Sequence, residues 1–348
     1  MYEKVATKNP IISVIIASYT ATELLPQCLK SILQEKTSLV EIIVVNDGFD
    51  KNEFNNLVGH NLQEPIRIIH LPHNTGAAKA RNVGVYHARG SYLFFIDNDT
   101  RLQSGWSRKV PAFFKKYKKT GIAQVKLLTD NTTQYDSAGE LLSPLGFLVE
   151  RAQKTEDRGQ FETPDVIFSG KSAGMIVRRD VFEKLRGFDE DFHIFWEDTD
   201  LCWRSWILGF EVRFFPDVVI DHAYLTNKKD KNIYLKNRVF YHGSRNMIQS
   251  TIRNVQMYYL LIKVPTLIFV WLVLATLFFL KLDFYKSSEI MKGIIWNIIH
   301  IPQTMRKRTT TQQSRNLSDQ ELYSLVGVKQ PMNYYLRKAQ AYILQKPF

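Results

Sequence analysis

At 348 residues the chain is too long for one small domain, and with 45% apolar and 13% aromatic side chains it has the composition of a globular protein with a substantial core. A formal charge of +12 points to polyanionic partners, namely nucleic acid, nucleotide phosphates or an anionic membrane. Cys28 and Cys202 lie far apart without metal-ligand spacing, which excludes a thiolate metal site and fits two free thiols in a reduced compartment. Lys4 and Lys8 precede no apolar stretch of signal-peptide length, so no secretory signal is expected before Ile11.

Residues 11–19 form a continuous apolar, β-branched run, the pattern of a buried strand. Residues 23–34 place Leu24, Leu25, Cys28, Leu29, Ile32 and Leu33 at helical spacing. A second buried strand over 41–45 ends at Asn46-Asp47-Gly48, and a third covers 66–71. Residues 76–89 read as an amphipathic helix leading into a strand over 91–96. This order predicts an α/β fold, a doubly wound and mostly parallel sheet with helices on both faces. No Gly-x-Gly-x-x-Gly follows the first strand, so the dinucleotide-binding version is excluded.

Beyond it, 106–119 reads as a helix with a basic outer face and 121–128 as a strand. Residues 129–163 are polar and irregular, the pattern of a mobile insertion facing the site. Strands over 166–177 and 212–219 flank a helix over 198–208. From 224 to 263 Lys and Arg dominate, with Asp230 the one acid. An uncharged apolar run over 264–280 lies between Lys263 and Lys281. A weaker apolar stretch over 290–301 is closed by Arg306-Lys307-Arg308, and a polar tail from 309 holds a short helix near 334–344. There is no internal repeat.

Chemistry concentrates at the strand ends. Asp97-Asn98-Asp99 closes the 91–96 strand, where residues i and i+2 share a side and both carboxylates can converge on one ligand. A crevice at the carboxyl edge of a parallel sheet is where such folds bind ligands, and two hard oxygens there suit Mg²⁺ or Mn²⁺. A polar turn explains Asp97 and Asp99 taken alone. The Asp47 carboxylate sits at the same edge and can accept from a base or ribose, although a strand-end turn explains it as well. In Asn74-x-Gly76-x-x-Lys79-x-Arg81-Asn82-x-Gly84 small residues permit close backbone approach, and Lys79 and Arg81 offer charge to phosphate or to solvent. Glu197, Asp198 and Asp200 put three carboxylates at a helix start beside Phe195 and Trp196. The helix dipole accounts for one or two of them, while an aromatic face suits a sugar and a partly dry carboxylate suits a general base. His222, after the 212–219 strand, is within reach of the metal position, though a lone histidine is more often structural.

Five motifs, Ser13 to Tyr19, Ile42 to Gly48, Asn74 to Gly84, Asp97 to Asp99, and Gly187-Phe188-Asp189-Glu190 with Trp196 to Leu201, stand in the order seen in family 2 glycosyltransferases. Over residues 11–225 the chain resembles their non-processive, rhamnosyltransferase-like branch, which builds surface polysaccharides and lipid-linked glycans. The resemblance implies a GT-A fold and inverting transfer of one sugar from a nucleotide-sugar donor to a hydroxyl of a lipid-linked or polysaccharide acceptor. It implies that Asp47 meets the base or ribose and Arg81 the nucleotide, with Tyr19, Lys79, Asp97 and Trp196 also lining the donor site. It further implies that Asp99, supported by Asp97 and joined by His222, binds Mn²⁺ or Mg²⁺, and that Asp198 is the general base with Glu197 and Asp200 shaping the site. Departures lie around the nucleotide: Tyr19 is followed by Thr20 where the family has Asn, and Gly48 by Phe49 where it has Ser or Thr. The Gln-x-x-Arg-Trp element of processive synthases is missing, and Arg204-Ser205-Trp206 is no substitute.

The expected division is a nucleotide-sugar domain over 1–225 (donor half 1–100, acceptor half 101–225), a basic and apolar membrane-associating region over 226–308, and the tail 309–348. The 264–280 run is near the ~17–25-residue minimum for crossing a bilayer. A single crossing would put Arg306 to Arg308 outside, against the positive-inside tendency. A hairpin with 290–301, or helices lying in the interface, avoids that conflict and favours the cytoplasmic face of an anionic membrane. A buried helical pair of a soluble domain is the plain alternative. Two other functions stay open on the residues, a polyprenyl-phosphate glycosyltransferase and a non-catalytic glycan- or lipid-binding scaffold. Nucleic acid is not an expected partner, because the basic residues gather beside an apolar segment and no binding motif is present.

Overall fold

The computed structural model describes residues 10–19, 23–35, 37–59, 66–223 and 233–331, with 333–335, 337 and 340 beyond them. Thr20, the basic residues around 228–232 and most of the helix expected near 334–344 lie outside these described residues. The chain divides into two compact units, one of residues 1–140 and 150–228, the other of 141–149 and 229–348.

In the first unit, β1 (Ile12–Ser18), β2 (Val40–Asp47), β3 (Ile66–Leu71) and β4 (Tyr92–Asp97) are the parallel strands that the apolar runs predict. Period-2 alternation sends Ile42 and Val44 to one face and Ile43 and Val45 to the other. On the first face pack α1 (Leu24–Leu33), α2 (Lys51–Val58) through Phe54, and α4 (Lys109–Lys116); α3 (Ala77–His87) covers the second. Gly84 sets the closeness of α3, since a Cβ there would fall 2.5 Å from a methyl of Ile15. The sheet continues through β5 (Thr100–Leu102), β6 (Thr120–Thr129), β7 (Tyr135–Ser137), β10 (Gly174–Arg178) and β11 (Glu211–His222) in the order β3-β2-β1-β4-β10-β6-β11-β5, with β7 on β6. Strands β10, β5 and β7 run against the rest, so the sheet is mixed but mostly parallel. The short strands β8 (Glu140–Leu142) and β9 (Leu148–Glu150) pair with one another.

Several elements differ from the sequence expectation, each for a local reason. Helix α2 buries only Phe54, so it has no apolar period, and it starts because Asp50 caps the amides of Asn52 and Glu53 at 2.9 Å. The expected 166–177 strand is a strand only from Gly174, because the amides before it bond elsewhere; Lys171 donates to Gln124 at 2.8 Å and Ser172 to Asp198 at 3.1 Å. A helix, α5 (Arg179–Lys184), then precedes a short 3-10 turn and α6 (Glu197–Ile207). The 129–163 stretch is not irregular, since it carries β7 to β9. Lys126 is buried on β6 and ties the stretch down through Asp157 at 2.8 Å and Glu162 at 2.5 Å. Tyr135, fully buried, adds a 2.8 Å bond to Asp157. Strand β11 outruns its expected end by absorbing a register shift between Phe215 and Val219, around Pro216, which carries His222 to the sheet edge.

The second unit holds α7 (Ile233–Asn254), α8 (Met257–Leu280), α9 (Phe284–Ile299), α10 (Ile301–Gln313) and α11 (Asp319–Val326). In α8 only one stripe is buried, Lys263, Leu267, Trp271, Ala275 and Phe278, at close to i, i+4 spacing. Gly293 lets α9 approach α7, where a Cβ would fall 2.1 Å from the Ser244 hydroxyl. Arg308, expected in a surface basic cluster, is instead buried and donates to the Ile252 and Val255 carbonyls at the end of α7, at 2.6 and 2.5 Å. Among the described residues α8 alone is long and apolar enough to cross a membrane, with a mean hydropathy of 2.3.

Candidate active site

The ends of β2, β1, β4 and β11 carry the first half of the site. Asp97 is the last residue of β4, and His222 is the last of β11, in register with Thr100. The turn between them is pinned: Asn98 donates to Ser18 at 2.8 Å, Thr100 Oγ1 to the Asp97 carbonyl at 2.7 Å, and the Ala223 amide to the Asp99 carbonyl at 2.9 Å. His222 Nε2 stands 3.3 Å from Asp99 Oδ1, and one donor atom each of Asp97, Asp99 and His222 lie within 4.8 Å of one another. Burial works against a charged His222, but hydrogen bonds to Asp136 and Asp99 push its pKa up to about 10. Burial and the neighbouring Asp99 push the Asp97 carboxyl upward, against the pull of Arg81. Two carboxylate oxygens and one imidazole nitrogen form a donor set that could hold a divalent metal ion.

Arg81, on α3, joins this half to the second. Its guanidinium is buried and donates from Nη1 to Glu197 Oε1 at 2.7 Å and from Nη2 to Asp97 Oδ1 at 3.1 Å. Burial opposes the charge, and Asp97, Glu197 and Asp198 together outweigh it. The segment before α6 is strained: Phe195 (φ 65°) and Trp196 (φ 73°) both adopt the left-handed conformation, at roughly 1–2 kcal/mol each for an L-residue. Such strain is characteristic of functional sites. His193 locks this segment to the α3 start. Its Nδ1 lies 3.1 Å from the Thr75 carbonyl, and Gly76 (φ 91°) is obligatory there because a Cβ would fall 2.4 Å from that ring. Asp198, partly exposed, accepts from the Ser172 amide at 3.1 Å and its own helix's Thr199 amide at 2.8 Å. Burial and Asp198 push the pKa of Glu197 up to about 7, although Arg81 pulls it down.

The structure therefore gathers Asp97, Asp99 and His222, and links Asp97 through Arg81 to Glu197 and Asp198. Other expected residues have partners within the fold. Arg81 spends one bond from each terminal nitrogen on a carboxylate and so joins β4 to the start of α6. Asp200 is fully buried in an ion pair with Arg204 at 2.7 Å, and Arg204 in turn holds the Leu185 and Gly187 carbonyls. Asp47 is buried, and its carboxylate accepts from the Thr75 amide and hydroxyl and the Gly76 amide at 2.7–2.9 Å, so it shapes the 74–76 turn. Lys79 is exposed on α3, and Tyr19 is half exposed at the end of β1. Phe49 packs against the core while its backbone is held by Asn46.

Sequence reasoning missed a second layer of buried polar groups. Asp136, on β7, lies 3.0 Å from His222 Nδ1, and Lys171 lies 3.5 Å from Asp136 and 3.6 Å from Glu150. Glu140 accepts from the Ser169 hydroxyl, and burial with Glu150 nearby pushes its pKa up to about 8. The one available signal was the apolar and small run Tyr135-Asp136-Ser137-Ala138-Gly139, out of place in a solvated insertion. A separate polar concavity of about 590 Å³, lined by Arg101, Asp130, Gln134, Glu156 and Asp221 among others, includes none of the clustered carboxylates.

A family model described as Glycosyl transferase family 2 matches residues 13–186. The chain belongs to that family. A pre-mycofactocin glycosyltransferase of Mycobacterium tuberculosis (strain CDC 1551 / Oshkosh) is 29% identical over 210 residues, 59% of this chain and 41% of the relative. The chain thus spans about two-fifths of the length of that relative. Among solved structures, GalNAc-T7 with UDP, GalNAc and Mn²⁺ is similar with a TM-score of 0.52 at 15% identity, over 64% of this chain and 45% of that one. Residues 1–349 of S. aureus TarS are similar with a TM-score of 0.50 at 13% identity, over 96% and 87% of the two chains. These likenesses support the GT-A class of the family 2 sheet.

The raised Glu140 carboxyl has a consequence for stability. The unfolded chain releases this proton near pH 4.5 and the folded chain holds it to about pH 8, so folding stability falls as pH rises through that window. Denaturant unfolding of Glu140→Gln is expected to lose this part of the decline between pH 5 and 8, whereas curves parallel to wild type would contradict the assignment.

Proposed function

We propose that the chain is an inverting, metal-dependent glycosyltransferase that moves one sugar from a nucleotide-sugar donor to a hydroxyl of a lipid-linked or polysaccharide acceptor. The observation that carries this reading is the Arg81 bridge, which sets the Asp97, Asp99 and His222 donor atoms and the Asp198 carboxylate at one sheet edge. Asp97, Asp99 and His222 would hold Mn²⁺ or Mg²⁺, which when bound offsets the charge developing on the departing diphosphate. GalNAc-T7, alike in fold, was crystallised with UDP, GalNAc and Mn²⁺.

Asp198 takes the proton of the acceptor hydroxyl as that oxygen attacks the anomeric carbon from the face opposite the departing diphosphate. The Ser172 and Thr199 amides hold this carboxylate in position while leaving it partly exposed. The side chain of Trp196 offers an apolar face to the sugar, and Asp47 acts on the nucleotide through the 74–76 turn. Absence of the processive Gln-x-x-Arg-Trp element supports addition of a single sugar.

We place this activity at the cytoplasmic face of an anionic membrane, reached through the second unit. The outer surface of α8 exposes Tyr258, Leu261, Phe269, Val273 and Leu280, and α9 adds Ile295, Ile298 and Ile299. Residues 233–331 hold thirteen Lys and Arg against four Asp and Glu. The Asp283–Lys286 and Glu289–Lys292 pairs on α9 disfavour its crossing a bilayer and favour helices lying in the interface.

Thermal-shift and hydrolysis screens of nucleotide sugars test the catalytic reading. One nucleotide class is expected to stabilise wild type only with Mn²⁺ and to fail with Asp99→Ala. Asp198→Asn should still bind the donor but lose about 10²–10⁴-fold in transfer. No response to any nucleotide sugar with metal present would move the chain to the binding-scaffold class. For the membrane, wild type should float with vesicles containing anionic lipid and release at high salt, and Leu261→Asp/Phe269→Asp/Val273→Asp should stay behind. Equal behaviour of the two proteins would contradict the lipid-facing assignment.

A further inference from the structure

His222 is held from both sides. Its Nε2 faces Asp99 at 3.3 Å, and its Nδ1 faces Asp136 Oδ2 at 3.0 Å. Asp136 is 86 residues away in sequence and buried to 2% exposure. Its direction has a backbone cause. In the β6–β7 ladder Leu127 pairs with Ser137 and Leu128 with Tyr135, so Asp136 is the extra residue of a β-bulge. Bulges beside sites turn one side chain out of the regular alternation. The other oxygen of Asp136 lies 3.5 Å from Lys171 Nζ, which compensates a carboxylate that would be expensive to bury alone.

We infer that Asp136 is a positioning residue for the metal centre, accepting the Nδ1 proton of His222 so that the Nε2 lone pair is presented to the space shared with Asp97 and Asp99. A neutral imidazole carries one ring proton, and whichever nitrogen donates it leaves the other free to coordinate. A carboxylate on Nδ1 selects that tautomer, fixes the ring plane and raises the basicity of Nε2. Lys171 sets an opposite charge 3.5 Å from the other Asp136 oxygen, and the bulge turns Asp136 out of the regular alternation. This inference rests on the metal reading of Asp97, Asp99 and His222.

The test is Mn²⁺ affinity of the full chain without donor, by calorimetry or by loss of the free-ion EPR signal. Asp136→Ala is expected to weaken Mn²⁺ binding by about 10–100-fold. Asp136→Asn, whose amide oxygen still accepts from Nδ1, should retain most of the affinity. In a His222→Ala background the Asp136→Ala change should bring no further loss, because it acts only through that ring. Unchanged affinity in Asp136→Ala, an equal loss in Asp136→Asn, or an undiminished loss in the His222→Ala background would overturn the inference. If wild type itself takes up no Mn²⁺, the metal reading falls and this one with it, an outcome distinct from wild-type binding that Asp136→Ala leaves intact.

Discussion

The candidate site depends on one buried cation. Arg81 is buried and stays charged because Asp97, Glu197 and Asp198 outweigh the effect of burial. A buried ion pair seldom adds net stability, since desolvation consumes most of the Coulomb gain. What it supplies is position: β4, α3 and α6 meet only if their charged groups meet, and removing one partner of such a pair costs about 3–5 kcal/mol. The bidentate fork of arginine matters here, because a lysine would offer a point charge where two carboxylates must be held apart in a fixed direction.

Acids outnumber bases around this bridge. Asp97, Asp99, Glu197, Asp198 and Asp136 crowd one edge of the sheet against Arg81, His222 and Lys171. Burial, with this crowding added, raises the Asp97 and Glu197 carboxyls, while against burial the hydrogen bonds to Asp136 and Asp99 raise His222. Under the proposed function a donor diphosphate would add further negative charge, which a divalent cation on Asp97, Asp99 and His222 would compensate. The left-handed Phe195 and Trp196 belong to the same economy of position. They turn the chain sharply enough for Glu197 to reach Arg81 while Asp198, the next residue, stays accessible.

Much of this was legible in the sequence because it is local. Parallel strands buried on both faces read as uninterrupted apolar runs, and Asp97 and Asp99 follow one such run directly. What was not legible is tertiary. Arg81 and Glu197 are 116 residues apart, and each offers several plausible partners until the fold brings them together. The bonds of Asp47 to Thr75 and Gly76 were not legible either, because a strand-end carboxylate is equally suited to a base, a ribose or the next loop's amides. Asp200 and Arg204 stand at i, i+4 on α6, the spacing of a helical ion pair, and that local explanation was available. Asp136 was hidden by the polar character of 129–163, where buried Lys126 pairs with Asp157 and Glu162, two acids that a composition reading assigns to solvent alone.

The central claim is that Arg81 binds the two halves of the site to each other. A double-mutant cycle with Arg81→Met and Glu197→Gln, followed by denaturant unfolding without any nucleotide or metal, measures this directly. Arg81→Met alone should be strongly destabilised, and the double variant should recover, giving a coupling energy in the range of about 0.5–3 kcal/mol. Additive effects, or an Arg81→Met protein as stable as wild type, would contradict the account.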